Sequence, residues 1–262
     1  MRTTRNAARV RICRKTVCNS PDVPPRESFR SEVDRFCPTG HSASSRPELF
    51  PETFLAAPAC VRPVGKAWVK ARKRDQFYRE AKAQGYRSRA AFKLIQIDAR
   101  FDLIYEGDVV VDLGAAPGGW SQVARELVGE GGRVVAVDRL GMRPITGVEV
   151  WRGDAEDDTL LAALAEKVGR ADVVLSDMSP RLSGHKTLDH ARSIDLGRHA
   201  LAAACVLLRP KGNLVSKVFQ GDEVEAFRRE VSRHFTSVKA HAPEASRKES
   251  RELYVIGMGF RG

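Results

Sequence analysis

The segment from Val109 to Trp120, VVVDLGAAPGGW, limits what this chain can fold into more than any other stretch of it. A short β-branched run that breaks into a glycine-rich turn and then opens a helix belongs to doubly wound α/β sheets. Such sheets carry small ligands at the carboxyl ends of their strands. Gly114, Gly118 and Gly119 lack Cβ atoms, so the backbone can turn tightly and approach a ligand closely. The turn is not Gly-x-Gly-x-x-Gly, because Ala116 and Pro117 fill its middle and Pro117 removes a donor. It also lacks the Lys-Ser/Thr pair of a P-loop, which disfavours a pyrophosphate ligand.

Strand and helix signals alternate on both sides of this turn. Strands are expected at Val109–Leu113, Arg133–Asp138, Val148–Arg152, Asp172–Ser176 and Asn213–Phe219. Between them the apolar spacing predicts helices at Trp120–Val128, Thr159–Val168, His190–Leu208 and Glu223–His234, the third stopping before Pro210-Lys211-Gly212. Two final strands, Ser237–His241 and Leu253–Met258, read as an antiparallel hairpin at the sheet edge. The fold class is α/β, a doubly wound and mostly parallel Rossmann-like sheet. Its closing hairpin is common in class I S-adenosylmethionine-dependent methyltransferases and unusual in dehydrogenases.

The 262 residues allow one such domain plus a tail. Residues 1–62 hold seven of the thirteen prolines and no sustained period, so they are expected to be disordered or a non-native extension. Asp22, Glu27, Glu32 and Asp34 argue against a transit peptide there, and no apolar signal-peptide core is present. Residues 63–262 are expected to form the functional domain. Four of the five cysteines, Cys13, Cys18, Cys37 and Cys60, lie in the tail without zinc-site spacing, so neither a metal site nor a disulfide framework is expected. No apolar run reaches the ~20 residues of a membrane span, and a cytoplasmic monomer is expected.

The net charge of +11 suggests a polyanionic partner. Much of the excess lies in an arm, residues 66–99, where Lys66, Lys70, Arg72, Lys73, Arg74, Arg79, Lys82, Arg87, Arg89 and Lys93 face only Asp75 and Glu80 up to Lys93. Two short helices split at Gln84-Gly85-Tyr86 are expected, with Ser88 capping the second. Trp68, Phe77, Tyr78, Tyr86 and Phe92 are interleaved with the charges. The plain alternative is a solvated face with its aromatics packed on the core. Position just before the ligand-binding strand favours nucleic-acid contact through residues 66–93, by phosphate pairing and base stacking.

In a doubly wound sheet, residues at successive strand ends face one ligand. Asp112 ends the first strand, Asp138 the second, and Asp154 follows the third. Asp138 can accept from both ribose hydroxyls, and Asp154 from an adenine amino group. Any one of them alone would read as a turn or cap residue. Together, beside a turn unsuited to pyrophosphate, they favour S-adenosylmethionine over NAD. After the fourth strand comes Asp177, where a reactive methyl would sit. The next strand buries Lys217 within an apolar run, a costly placement unless the ammonium is paired or reaches a cleft. Glu252 begins the last strand, and Lys93 lies on the basic arm.

Five segments, SRAAFKL (88–94), VDLGAAPGGW (111–120), SDMSP (176–180), KVFQG (217–221) and SRE (250–252), occur in order and at similar spacing to the FtsJ/RrmJ family of ribosomal RNA 2′-O-methyltransferases, which the chain resembles from about residue 66 onward. The resemblance implies a Lys-Asp-Lys-Glu tetrad at Lys93, Asp177, Lys217 and Glu252, and S-adenosylmethionine contacts at Gly118, Trp120, Asp138, Asp154 and Asp177. It further implies 2′-O-methylation of a uridine in large-subunit ribosomal RNA, on free RNA or the assembled subunit. Ser179 stands where that family has alanine and Ser216 where it has valine, small changes that tune rather than abolish activity.

A ribose 2′-hydroxyl is a poor nucleophile at neutral pH. Lys217 is the candidate base, oriented by Asp177, while Glu252 holds Lys93 or the ribose; either lysine can be the proton acceptor. Competing readings keep the chemistry on tRNA or an mRNA cap, or make the chain a non-catalytic RNA-binding protein on the same fold. A small-molecule O-methyltransferase would have no use for the basic arm.

Overall fold

A computed structural model of the chain describes residues 75–247 and 250–262. All belong to a compact unit, Val61–Gly262. The expectation for residues 1–62 and the basic residues Lys66, Lys70, Arg72, Lys73 and Arg74 lie outside the described residues.

Helices α1 (Gln76–Ala83) and α2 (Ala91–Phe101) precede strand β1 (Val109–Leu113). Helix α3 (Gly119–Val128), strands β2 (Arg133–Asp138) and β3 (Val148–Arg152), helix α4 (Asp158–Val168) and strand β4 (Ala171–Ser176) follow. Helix α5 (Lys186–Leu207), strand β5 (Leu208–Phe219), helix α6 (Val224–His234) and strands β6 (Phe235–His241) and β7 (Glu252–Phe260) complete the order. The strands form one sheet in the order β3-β2-β1-β4-β5-β7-β6. The first five run parallel, while β7 lies antiparallel between β5 and β6. The chain is therefore a doubly wound α/β protein with an antiparallel C-terminal hairpin.

Strand alternation divides the core into two layers. Val110, Val134, Val173, Leu175 and Val215 face α2 and α3, packing on Leu94, Ile97, Trp120 and Val123. Their neighbours Val111, Val135, Val174 and Leu214 point the other way, onto Leu164, Ile194, Leu207 and Phe227 of α4, α5 and α6. Near-continuous valine runs suit strands buried on both faces. No helix among the described residues is long and apolar enough to cross a membrane.

Three local expectations are corrected. Ser88 does not cap α2: the N-cap is Ala90, without a side-chain bond, and among the described residues the Ser88 hydroxyl has no hydrogen-bond partner. It packs instead on the glycine turn, where a Cβ at Gly119 would lie 2.3 Å from Ser88 Oγ. Helix α5 begins at Lys186 rather than His190, because Asp189 accepts from the Ser183 and Gly184 amides and so stabilises an earlier start. Pro210-Lys211-Gly212 does not separate helix from strand; it forms a bulge within β5, whose register against β4 jumps from Ala171↔Leu208 to Val173↔Asn213.

Candidate active site

Four charged side chains meet at the carboxyl edge of the sheet. Lys217 lies on β5 directly opposite Tyr254 of β7, and Phe219 opposite Glu252, so the antiparallel register delivers the start of β7 to the end of β5. Asp177 follows β4, and Lys93 is in the first turn of α2. Lys217 Nζ lies 3.0 Å from Asp177 Oδ1 and donates to the Asp177 carbonyl at 2.6 Å. Lys93 Nζ pairs with Glu252 Oε2 at 2.7 Å. Tyr254 ties the two pairs together: its hydroxyl donates to Asp177 Oδ1 at 2.9 Å, and Lys93 Nζ lies 5.9 Å from the centre of its ring. Both lysines are buried, Lys93 7% and Lys217 5% exposed. Two cations and two anions balance, which is how a buried cluster of charges avoids an unpaired one.

The electrostatics separate the carboxylates. Burial pushes the Asp177 carboxyl up, but Lys217, then Lys93, with hydrogen bonds from Lys217 and Tyr254, outweigh it and hold the group below the usual carboxylate range. The Tyr254 phenol is driven well above its ordinary value by burial, with Asp177 and Glu252 adding to the shift, so it stays a donor. Asp112 behaves oppositely. It is fully buried, burial pushes it up to about 7 against the Ser121 hydrogen bond, and Asp177 and Asp138 add repulsion. Its Oδ2 accepts from Ser121 Oγ at 2.6 Å, and its Oδ1 has no partner among the described residues.

A cavity of about 720 Å³ opens beside Asp177, lined by Gly114, Asp138, Leu140, Asp154 and Met178 among others. Asp138, Asp154 and Asp177 thus share one cleft, whereas Asp112 lies beneath it. Asp138 is held from both sides: Ala116 N donates to Oδ2 at 2.9 Å and Leu140 N to Oδ1 at 2.7 Å. Each oxygen keeps a lone pair for a ligand hydroxyl. Asp154 accepts from Glu156 N at 3.1 Å and pairs with Arg139 at 3.3 Å. Gly114 has φ +72, and a Cβ there would sit 2.6 Å from Met178 Cγ, so only glycine leaves this wall open. A cleft of this size with a glycine cradle and ribose-suited carboxylates fits S-adenosylmethionine. Gly118 and Trp120 do not line it. A Cβ at Gly118 would meet Ile145, and the Trp120 indole is buried, donating to Ala90 O at 2.8 Å and packing 5.6 Å from Tyr254.

The arm is also less free than its sequence implies. Arg87 donates to backbone carbonyls, and Arg89 pairs with Asp75 and donates to Ala245 O. Phe77, Tyr86 and Phe92 pack on one another, with Phe92 5.7 Å from Phe77 and 5.9 Å from Tyr86, rather than standing open for bases. Arg79 and Lys82 of α1 remain exposed. Among the described residues no group of three or more His, Cys, Asp or Glu could hold a metal ion.

Sequence reading missed Tyr254 and the inward turn of Arg87. Tyr254 was findable, since strand alternation places it on the same face as Glu252, two residues earlier. Arg87 carried no such signal, because its partners are main-chain atoms 30 to 57 residues away.

The model of FtsJ-like methyltransferases matches residues 86–260. Curated relatives named ribosomal RNA large subunit methyltransferase E include one from Natronomonas pharaonis, 52% identical over 71% of this chain and 74% of its own. Another, from Archaeoglobus fulgidus, is 51% identical over 72% of this chain and 97% of its own. Among solved structures, a Plasmodium falciparum chain titled a ribosomal RNA methyltransferase superposes with a TM-score of 0.60 at 24% identity. That match covers 68% of this chain and all of the other, a likeness of fold. With five motifs, the paired tetrad and the family match in agreement, the chain belongs to the FtsJ-like methyltransferase family.

Proposed function

We propose that this protein transfers a methyl group from S-adenosylmethionine to the 2′-hydroxyl of a uridine ribose in large-subunit ribosomal RNA. The names of its relatives support the substrate class. The observation that carries the chemistry is Lys217, a buried lysine locked at 3.0 Å against Asp177, which lines the cofactor-sized cleft.

When bound, S-adenosylmethionine supplies an electrophilic methyl on a sulfonium. Asp138 and Asp154 would hold its ribose and adenine. Asp177 and its carbonyl fix the Lys217 nitrogen, which, once it has given its own proton to solvent, would take the proton of the 2′-hydroxyl while the methyl's bond to sulfur gives way to one to the ribose oxygen. Glu252 pairs with Lys93, which keeps a positive charge beside the developing alkoxide. Tyr254 remains protonated and keeps Asp177 from rotating away. Positioning is what these residues supply. Exposed Arg79 and Lys82, within the 66–93 arm, meet RNA phosphates.

The test offers tritiated S-adenosylmethionine with unmodified large subunits, free ribosomal RNA and tRNA to the wild type and to Lys217→Ala, followed by mapping of 2′-O-methyl sites. Wild-type-only labelling at one large-subunit uridine is expected. Label on tRNA alone would replace the substrate, and full turnover by Lys217→Ala would remove Lys217 from the mechanism.

A further inference from the structure

The segment 139–147, between β2 and β3, contains no helix or strand, yet its first residues, Arg139 and Leu140, wall the cofactor cleft. Most of what holds its middle comes from outside. Arg87 Nη1 donates to Arg143 O and Nη2 to Pro144 O at 2.6 Å, while Nη1 also reaches Pro117 O, in the glycine turn, at 3.2 Å. The guanidinium thus joins the segment to the turn.

Arg87 is itself anchored. Its amide donates to Gln122 Oε1 at 2.8 Å, and Gln122 Nε2 returns a bond to Gly85 O at 3.2 Å. A Cβ at Gly118 would lie 2.7 Å from Ile145 Cδ1 and 3.3 Å from Arg87 Cδ, so turn, arm and segment are in close contact. Among the described residues the guanidinium has no carboxylate partner; its charge is spent on carbonyls. Arginine's planar fork can serve several acceptors at fixed angles, which lysine's single nitrogen cannot.

We infer that Arg87 is a positioning residue for the cofactor, clamping the 139–147 segment against the glycine turn and joining the basic arm to the cofactor wall. The inference rests on the methyltransferase reading for the identity of the ligand.

The test compares full-length wild type, Arg87→Gln and Arg87→Lys. S-adenosylhomocysteine binding is followed by calorimetry, RNA binding across a salt series, and amide exchange in residues 139–147 without ligand. Arg87→Gln is expected to bind S-adenosylhomocysteine about tenfold more weakly, the loss of roughly one charge-assisted hydrogen bond. Its KM for S-adenosylmethionine should rise by more than its kcat falls. Segment exchange should quicken, with Arg87→Lys intermediate, and the salt slope of RNA binding should stay unchanged. Unaltered S-adenosylhomocysteine affinity with unaltered exchange would overturn the clamp. So would a salt slope reduced by about 0.7–0.9, the signature of a lost phosphate contact, with cofactor affinity intact. A wild type that binds no S-adenosylhomocysteine would sink the methyltransferase reading, and exchange in 139–147 would still decide whether Arg87 holds the segment.

Discussion

Two halves of one site meet at Asp177 and are built in opposite ways. On the cleft side, the carboxylates take main-chain donors close by, Asp138 from Leu140 N two residues on and Asp154 from Glu156 N, with Ala116 N and Arg139 adding partners from no more than 22 residues away. On the tetrad side, they are satisfied by side chains brought from far along the chain, with Lys93 and Glu252 159 residues apart. Local bonds form with a single turn, whereas the tetrad exists only once α2, β4, β5 and β7 are all in place. The cleft should therefore lose function by degrees when altered, and the tetrad should fail as a unit.

The largest expected break is Lys217→Ala, which should lower methyl transfer by about 10²–10⁴-fold, the range for a proton-transfer group. Single-turnover transfer and S-adenosylhomocysteine titration measure it, and cofactor affinity should change little. Next is Lys93→Met, which strands the Glu252 carboxylate and should cost about 3–5 kcal/mol in urea unfolding. Adding Glu252→Met should restore most of that stability without restoring activity. A double variant no more stable than the single would remove the pair's coupling.

Asp112 sharpens the contrast, being fully buried where Asp177 is partly exposed and, among the described residues, having no cation to pair with. An unfolded aspartate ionises near pH ~3.9, the folded one near 7, so between those values the folded state holds the extra proton. Stability then falls as pH rises from about 4 to 7 and stays lowered above. Asp112→Asn should remove that decline, gaining about 2–4 kcal/mol over wild type at pH 8 and much less at pH 4. Parallel unfolding curves at the two pH values, offset by a constant, would contradict it. The smallest effect is expected of Tyr254→Phe, which removes one hydrogen bond to Asp177 and should slow transfer about fivefold to tenfold while leaving cofactor affinity alone.

The same contrast explains what the sequence made legible. The bounds of β1 and β2 match their expected bounds because valine runs state strand burial within five or six residues, and those of the partly exposed β3 match as well. Asp138, Asp154 and Asp177 could be placed at one cleft because strand ends in a doubly wound sheet share an edge. Ser88 looked like a cap because the α2 turn was read alone, while its hydroxyl is packed against Gly119. The arm's aromatics looked available for bases, because nothing local shows that Phe77, Tyr86 and Phe92 pack together. Pro210-Lys211-Gly212 read as a stop, though a parallel strand absorbs it as a bulge once β4 lies alongside. Each of these misreadings turns on a packing or pairing partner that the local pattern does not name.

The position of β7 has a consequence for how the protein comes into being. A nascent chain that has reached Ser250 already carries six of the seven strands, yet the gap is between β5 and β6 and not at the rim. The final strand has to enter that slot and pair on both sides, bringing Glu252 and Tyr254 with it. Completion of the sheet and assembly of the tetrad are thus a single event, and a chain cut before β7 would have a split sheet with exposed strand edges rather than a slightly shortened domain.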